Sequence, residues 1–278
     1  MMARMIGAAL LWLLALAAPA SAQTVRWVPE AGTHGYRYES VTTVPGAPGN
    51  AYRLDYDLVS DGKGGLVAVV LGAWHRGGGP EWSDAEIDDA CRKALHAEGK
   101  ELARITLAPI APGTVANLGP EFIAECTPAD IFFPITDILR VALVQVAPEF
   151  GLAKLTAPGQ SGRYPGYATK TERLDTAIDI VSTGGTITFT TLVPGRATLD
   201  MVSDPMKLTL IHRRAYSGAD VTLTGTETSG FRIEIDPATG VLLGAVSDGD
   251  KLDVTMSLPG GYSQPLPVSR ETRITPRP

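Results

Sequence analysis

The stretch Trp74-His75-Arg76-Gly77-Gly78-Gly79-Pro80-Glu81-Trp82 stands apart from the rest of the chain. Two indoles flank a glycine run that has an imidazole and a guanidinium at its base. Indole faces stack on sugars and cations, and a guanidinium pairs with carboxylates. Trp74, His75, Arg76 and Trp82 are therefore the candidate ligand-binding residues. The competing account is a connection from strand to helix whose indoles fold back onto the core.

Cys91 and Cys126 are the two cysteines of the chain. Neither belongs to a CxxC pair, and neither has an evident histidine partner, so reactive-thiol chemistry has no support. In an oxidising compartment the two would form a structural bridge. Closing a loop of about 36 residues stabilises a fold by roughly 3.8 kcal/mol in the chain-entropy view.

Other chemistry-bearing residues do not assemble into motifs. Ser161 lies in Gly159-Gln160-Ser161-Gly162-Arg163, where a nucleophile elbow would need glycine in place of Arg163. His34, His75, His96 and His212 show no HExxH and no paired spacing. Asp248, Asp250 and Asp253 are spaced loosely like a calcium turn. An EF-hand counted from Asp248 would need an acid where Pro259 stands, so a polar hairpin turn is the better account. Asp55 and Asp57 place two carboxylates on one strand face, as general acid–base work requires, but a solvated face explains them equally well. Arg163, Tyr164, Tyr167 and Lys170 form a weaker recognition group. No phosphate loop or dinucleotide fingerprint occurs. The sequence names no catalytic residue, no metal ligand and no cofactor.

The elements that must position these residues are mostly strands. Tyr52, Leu54, Tyr56 and Leu58 alternate with Arg53, Asp55 and Asp57; Phe231, Ile233 and Ile235 alternate with Arg232, Glu234 and Asp236. Leu252, Val254, Met256 and Leu258 alternate with Asp253, Thr255 and Ser257. One wet face per strand is an antiparallel signature. Asp61-Gly62-Lys63-Gly64-Gly65 and Asp236-Pro237-Ala238-Thr239-Gly240 read as hairpin turns. Further strands are expected over 25–28, 36–43, 66–74, 102–107, 122–126, 176–181, 186–192, 197–202, 208–212 and 221–226. The threonine-rich ones suit a half-exposed pleat.

Two helices interrupt the strands. Ser83-Asp84-Ala85-Glu86 is a capping box, acidic residues follow it, Arg92, Lys93 and His96 sit near the far end, and Gly99 ends the run. This predicts an amphipathic helix at about 84–98, with Ile87, Cys91 and Leu95 turned inward. A bridge to Cys126 would pin it to the strand around 122–126. A second helix, at about 135–146, is apolar nearly all round and is expected to be buried between groups of strands. Ala157 to Tyr167 reads as a long loop because Pro158, Gly159, Gly162, Pro165 and Gly166 oppose regular structure.

The fold class expected is mainly β (α+β), with antiparallel, curved sheet packed against these helices. Gly and Pro, 30 and 21 of 278 residues, favour turns over a helical bundle. Residues 1–22 carry Arg4, an apolar stretch, Pro19 and the small-x-small run Ala20-Ser21-Ala22, the features of a signal peptide cleaved after Ala22. The remaining 23–278 is expected to be one exported, periplasmic or secreted domain. It would have two strand-rich halves, 23–130 and 168–278, joined by the helix and loop of 131–167. Loss of Arg4 leaves 23 basic against 30 acidic residues, a balance that gives no support for nucleic acid as a partner. The apolar run 138–147 contains Arg140 and Gln145 and is too short to span a bilayer.

The leading expectation is an exported cell-envelope protein, binding or structural and without catalysis, holding an apolar or lipid-like ligand, or meeting an envelope protein. The alternatives are a secreted hydrolase using carboxylates in a cleft, and a module of a protein assembly.

Overall fold

A computed structural model describes residues 24–46, 49–85, 89–107, 137–138, 141–142, 155–172, 176–216 and 218–278. Among these residues the framework is a single large antiparallel sheet with very little helix.

Strand β1 (Gly32–Thr43), β2 (Asn50–Ser60) and β3 (Leu66–Gly77) form a meander. Asp61 makes the turn between the second and third: its Oδ1 accepts from the backbone N–H of Lys63 (2.7 Å) and Gly65 (2.9 Å). Gly62 and Gly64 supply the positive φ angles there. Two short strands line the far edge of β3, β4 (Ser83–Asp84) and β5 (Ala103–Leu107).

The second group begins with β6 (Ser161–Glu172), which pairs with β7 (Thr176–Val193). Beside β7, β8 (Arg196–Ser203) and β9 (Met206–Tyr216) run end to end, one along each half. The next position is split in the same way, into β10 (Ala219–Thr228) and β11 (Gly230–Ile235). Both then pair with the long β12 (Leu242–Ser257), which pairs with β13 (Ser263–Pro276). The two groups become one sheet because β13 pairs with β1.

The main core lies on one face of this sheet. Tyr36, Tyr38, Leu54, Tyr56, Phe189, Leu199, Phe231, Ile233 and Ile274 project into it. Helical Ile138, Val141 and Ala142 are buried in the same core. Trp27 meets Phe189 edge to face at 5.2 Å and donates its indole N–H to the Leu155 carbonyl. A second, smaller cluster gathers Ile178, Ile180, Met206, Leu208 and Leu210 from β7 and β9.

Between the two clusters the strands break in line. Asp204 and Pro205 separate β8 from β9, Ser229 separates β10 from β11, and β12 shifts register between Asp248 and Asp250. Polar groups close the gap: the N–H of Ser203 donates to the Ser229 carbonyl (2.8 Å), and the N–H of Asp204 donates to the Gly184 carbonyl (2.9 Å). Gly185 is required on this line, because a Cβ there would collide with the Val202 carbonyl and the Tyr164 ring.

Several expectations are corrected. Ser83 and Asp84 pair with His75 and Trp74 as a strand, so they do not cap the helix expected at about 84–98; the described helix is Asp89–Ala94. Residues 161–167 of the expected loop form strand, because β7 offers its free edge along their whole length and outweighs Pro165 and Gly166. Residues 176–181 and 186–192 are one strand, not two. Residues 25–28 are not strand; Arg26 and Glu30 instead donate backbone N–H groups to Pro237 and Thr239 in the β11–β12 turn. Of the apolar helix at about 135–146, residues 137, 138, 141 and 142 are helical and the others lie outside the described residues. The strand expected at 122–126, Ile87 and Cys126 also lie outside them.

Candidate functional site

Two clusters of chemistry-bearing side chains emerge, one on each face of the sheet.

The outer cluster contains three of the four residues singled out by the Trp–Gly–Trp stretch. Leu54 and Tyr56 point into the core, so alternation turns Arg53, Asp55 and Asp57 outward. Arg53 lies opposite Trp74 in the register of β2 and β3. Its guanidinium sits 4.5 Å from the Trp74 ring centre and 4.9 Å from that of Trp82. Arg76 lies over Trp82 as well, at 4.9 Å. The rings are thus already engaged by the chain's own cations, a geometry of strong cation–π attraction. Gly72 makes room for Trp74, since a Cβ would strike its ring. His75 lies opposite Tyr52, on the other face from Trp74, and does not join the stack. Gly78 turns the following loop with φ 65° and donates its N–H to the Gly49 carbonyl.

The same face continues as an ion-pair ladder. Arg37 grips Asp55 with two hydrogen bonds (2.8 and 2.9 Å), and Arg277 reaches Asp57 at 2.7 Å. The hydrogen bond from Arg37 holds the Asp55 carboxyl below its ordinary range. Asp55 and Asp57 therefore share a face, as expected, but each is engaged by an arginine.

The inner cluster has no motif in the sequence. Arg270 of β13 is 5 % exposed and sits among three carboxylates that are at most 1 % exposed. Its Nη2 donates to Glu227 Oε1 at 2.7 Å, to Asp137 Oδ1 at 3.3 Å and to Asp250 Oδ2 at 3.3 Å. Each partner comes from a different element: Glu227 from β10, Asp250 from the irregular point of β12, and Asp137 from the apolar helix. Asp250 Oδ1 also accepts from the Ser247 hydroxyl (2.5 Å) and the Gly230 N–H (3.1 Å). The Tyr38 hydroxyl donates to Asp137 Oδ2 at 2.8 Å. Burial works against the charge on Arg270, and the adjacent carboxylates of Asp137 and Glu227 overturn that, keeping the guanidinium protonated. Burial, reinforced by the Asp137 charge, keeps the Tyr38 phenol protonated. Ser40, Thr272 and Ser247 extend the polar zone as one buried row across β1, β13 and β12.

Ser161 bonds Thr188 across the β6–β7 pair at 2.9 Å, as a strand residue rather than a nucleophile. Arg163 engages Asp204 on the outer side. Cys91 is fully buried in the main core, and no free cysteine occurs among the described residues. Among the described residues, no group of three metal-ligating side chains is arranged to hold a metal ion. No helix among them is long and apolar enough to cross a membrane.

Arg270 and Glu227 escaped sequence reasoning because they lie far apart in the chain with no motif around either; Asp250 was read within a polar turn, and Asp137, an acid inside an apolar helix, was the signal available for the rest.

No family model and no curated protein matches the chain. Among solved structures it is similar to lipovitellin, in a structure of lipid–protein interactions, at 9% identity and a TM-score of 0.41. The alignment covers 91% of this chain and 26% of that one, so the chain spans about a quarter of the protein it matches.

Proposed function

We propose that this is an exported binding or structural protein of the cell envelope, its mature form beginning at Gln23. The broad sheet curves about the line of breaks, and an apolar or lipid-like ligand sits between its inner face and the helix at 135–146. The observation that carries this reading is the burial of helical Ile138, Val141 and Ala142 against the inner face of one continuous sheet. A helix of that composition on a sheet face offers a ligand an apolar surface on two sides. The mature chain is one domain, with its two strand-rich halves joined through the helix. Cys91 bridges to Cys126 and ties the short helix to the segment that bears Cys126.

The test is titration of delipidated protein with a fluorescent apolar probe, followed by solvent extraction of freshly purified protein and mass spectrometry. Saturable probe binding and a co-purifying apolar molecule are expected. Delipidated protein that binds no probe overturns the ligand. N-terminal sequencing of protein recovered from the envelope or medium checks the cleavage.

A second reading, a module that docks a partner protein, is favoured by the outer stack. Trp74, Arg76 and Trp82 are half-buried at a sheet edge closed by only two residues of β4, so their outer surfaces remain open to a partner. Trp82→Ala that leaves the partner set unchanged in co-purification counts against it. The hydrolase alternative has no observation in its favour: Asp137, Glu227 and Asp250 are sealed, and Asp55 and Asp57 are engaged by arginines.

A further inference from the structure

The outer stack contains two guanidiniums that no carboxylate answers. Elsewhere on the outer face arginines meet acids: Arg37 grips Asp55, Arg232 meets Asp200 and Arg277 reaches Asp57. Among the described residues, Arg53 and Arg76 enter no ion pair and donate no hydrogen bond; their contacts are with the indoles of Trp74 and Trp82. Arg53 Nε is buried and without an acceptor. Acids are not in short supply, since the chain has 30 of them against 24 basic residues. Glu39, opposite Arg53 on β1, and Glu81 and Asp84, in the chain around Trp82, are all exposed and form no ion pair with either guanidinium.

A guanidinium engages an indole through its face and an oxyanion through its edge, so the two contacts do not compete. Stacking fixes the orientation of each fork and leaves its in-plane N–H donors for a ligand. Side-chain freedom already given up in the stack is not lost again on binding. The spacing of the two forks is also set. Arg53 lies opposite Trp74, and Arg76 follows Trp74 by two on the same face of β3, which makes Arg53 and Arg76 diagonal neighbours. Diagonal neighbours have Cα atoms about 7–8 Å apart. Residues two apart on one side of an extended chain are separated by about 7 Å. We infer that the stack is a carboxylate-binding site whose ligand is an extended acidic segment of a partner protein. Acids at alternate positions seat one carboxylate in the Arg53 fork and the next in the Arg76 fork, each through paired N–H bonds. A sugar ring, by contrast, competes with the guanidiniums for the indole faces. Exposed Gly77, Gly78 and Gly79 put no side chain in the path of the segment. This deepens the docking reading of the same stack and rests on it for the ligand being a protein.

The experiment is calorimetric titration of the full mature chain with a blocked peptide of alternating valine and aspartate. The controls are the same peptide with asparagine for aspartate, a peptide with its aspartates adjacent, inorganic phosphate, and an oligogalacturonate. The alternating peptide is expected to bind saturably, and more weakly as salt rises. The asparagine peptide is expected not to bind, and adjacent aspartates to bind less tightly than alternating ones. Arg53→Gln and Arg76→Gln should each weaken binding about tenfold or more, since each removes one charge-assisted fork. Arg76→Lys should fall between wild type and Arg76→Gln, and Arg232→Gln, at an arginine already paired with Asp200, should change nothing. Wild-type protein that ignores the alternating peptide, or takes the aspartate and asparagine peptides alike, overturns the inference without any variant having to fold. Equal affinity for adjacent and alternating aspartates overturns it too, as does phosphate or oligogalacturonate binding in place of the peptide. Co-purification separates this from the docking reading. A partner set altered by Trp82→Ala, with no peptide binding, keeps docking and overturns the carboxylate site. Peptide binding lost in Arg76→Gln, with a partner set unchanged by Trp82→Ala, supports the two forks and removes the partner.

Discussion

Arg270 Nη2 and Glu227 Oε1 lie 2.7 Å apart in the interior, joining β13 to β10 across the strand that separates them. Each residue is also held in register by its own strand pairs, and the side-chain bond adds a tie across β12 at the line where the strands break.

Removal of Arg270 is the most damaging single change expected. Arg270→Met preserves much of the volume but leaves Asp137, Glu227 and Asp250 without their shared cation. Breaking a buried pair from one side costs about 3–5 kcal/mol. The urea midpoint should fall accordingly. Glu227→Gln keeps the shape and an acceptor and should cost less, and equal losses in the two variants would mean that the charge of Glu227 matters as much as the shared cation.

A modest acid dependence is expected from the outer ladder. Arg37 lowers the pKa of Asp55 in the folded chain below its unfolded value near 3.8. The bond therefore adds stability above that unfolded value, and the contribution disappears as pH falls through the lower folded value. Arg37 is 39% exposed, so solvent screening limits the pair to at most about 1 kcal/mol. Asp55→Asn should flatten this part of the stability profile below pH 4 and leave the profile above pH 5 parallel to wild type.

Close backbone approach makes Gly185 intolerant of side chains. Gly185→Ala drives a methyl into the Val202 carbonyl and the Tyr164 ring. A loss of about 1–3 kcal/mol is expected from overpacking. Denaturant unfolding should show a lower midpoint with an unchanged slope; wild-type stability would mean that β7 and β8 separate easily at this point.

The proposed Cys91–Cys126 bridge gives a redox prediction. Reduction, or Cys91→Ser, should lower stability by roughly 4 kcal/mol in the chain-entropy view. Thiol titration of the unfolded chain checks it directly: two free thiols before reduction would remove the bridge.

Much of the sheet was legible because its inner and outer faces differ so plainly. In β2 every second residue from Leu54 to Leu58 is apolar, and in β11 Phe231, Ile233 and Ile235 repeat the pattern. The Asp61 and Asp236 turns were legible because a short carboxylate can accept from N–H groups two residues on. β6 was hidden by its prolines and glycines, whose local preference gives way to a continuous pairing edge. β13 was hidden too, since Pro265 and Pro267 interrupt its first half. Both prolines lie opposite β12, yet their ring nitrogens need only face away from it. The Trp–Gly–Trp stretch was legible as unusual, but its cations come partly from Arg53 on another strand. Asp250 was read as a solvated turn because the bulge that buries it depends on pairing with β13. Charge clustering of this kind is a tertiary property, and strand periodicity alone carries no trace of it.

The pairing of β1 with β13 has a consequence for how the chain is made. Tyr36 finds its register opposite Pro276, 240 positions later, and Tyr38 opposite Ile274. A ribosome releasing this chain from its first residue completes β1, β2 and β3 long before the strand that joins them to the remaining sheet exists. During that interval the edge of β1 is open, and the Tyr38 hydroxyl has Asp137 within the emerged chain before Arg270 has been synthesised. The central seam can close only once residues 269–276 are available, so β1, β2 and β3 must wait for a partner about 230 positions later before the whole sheet can assemble.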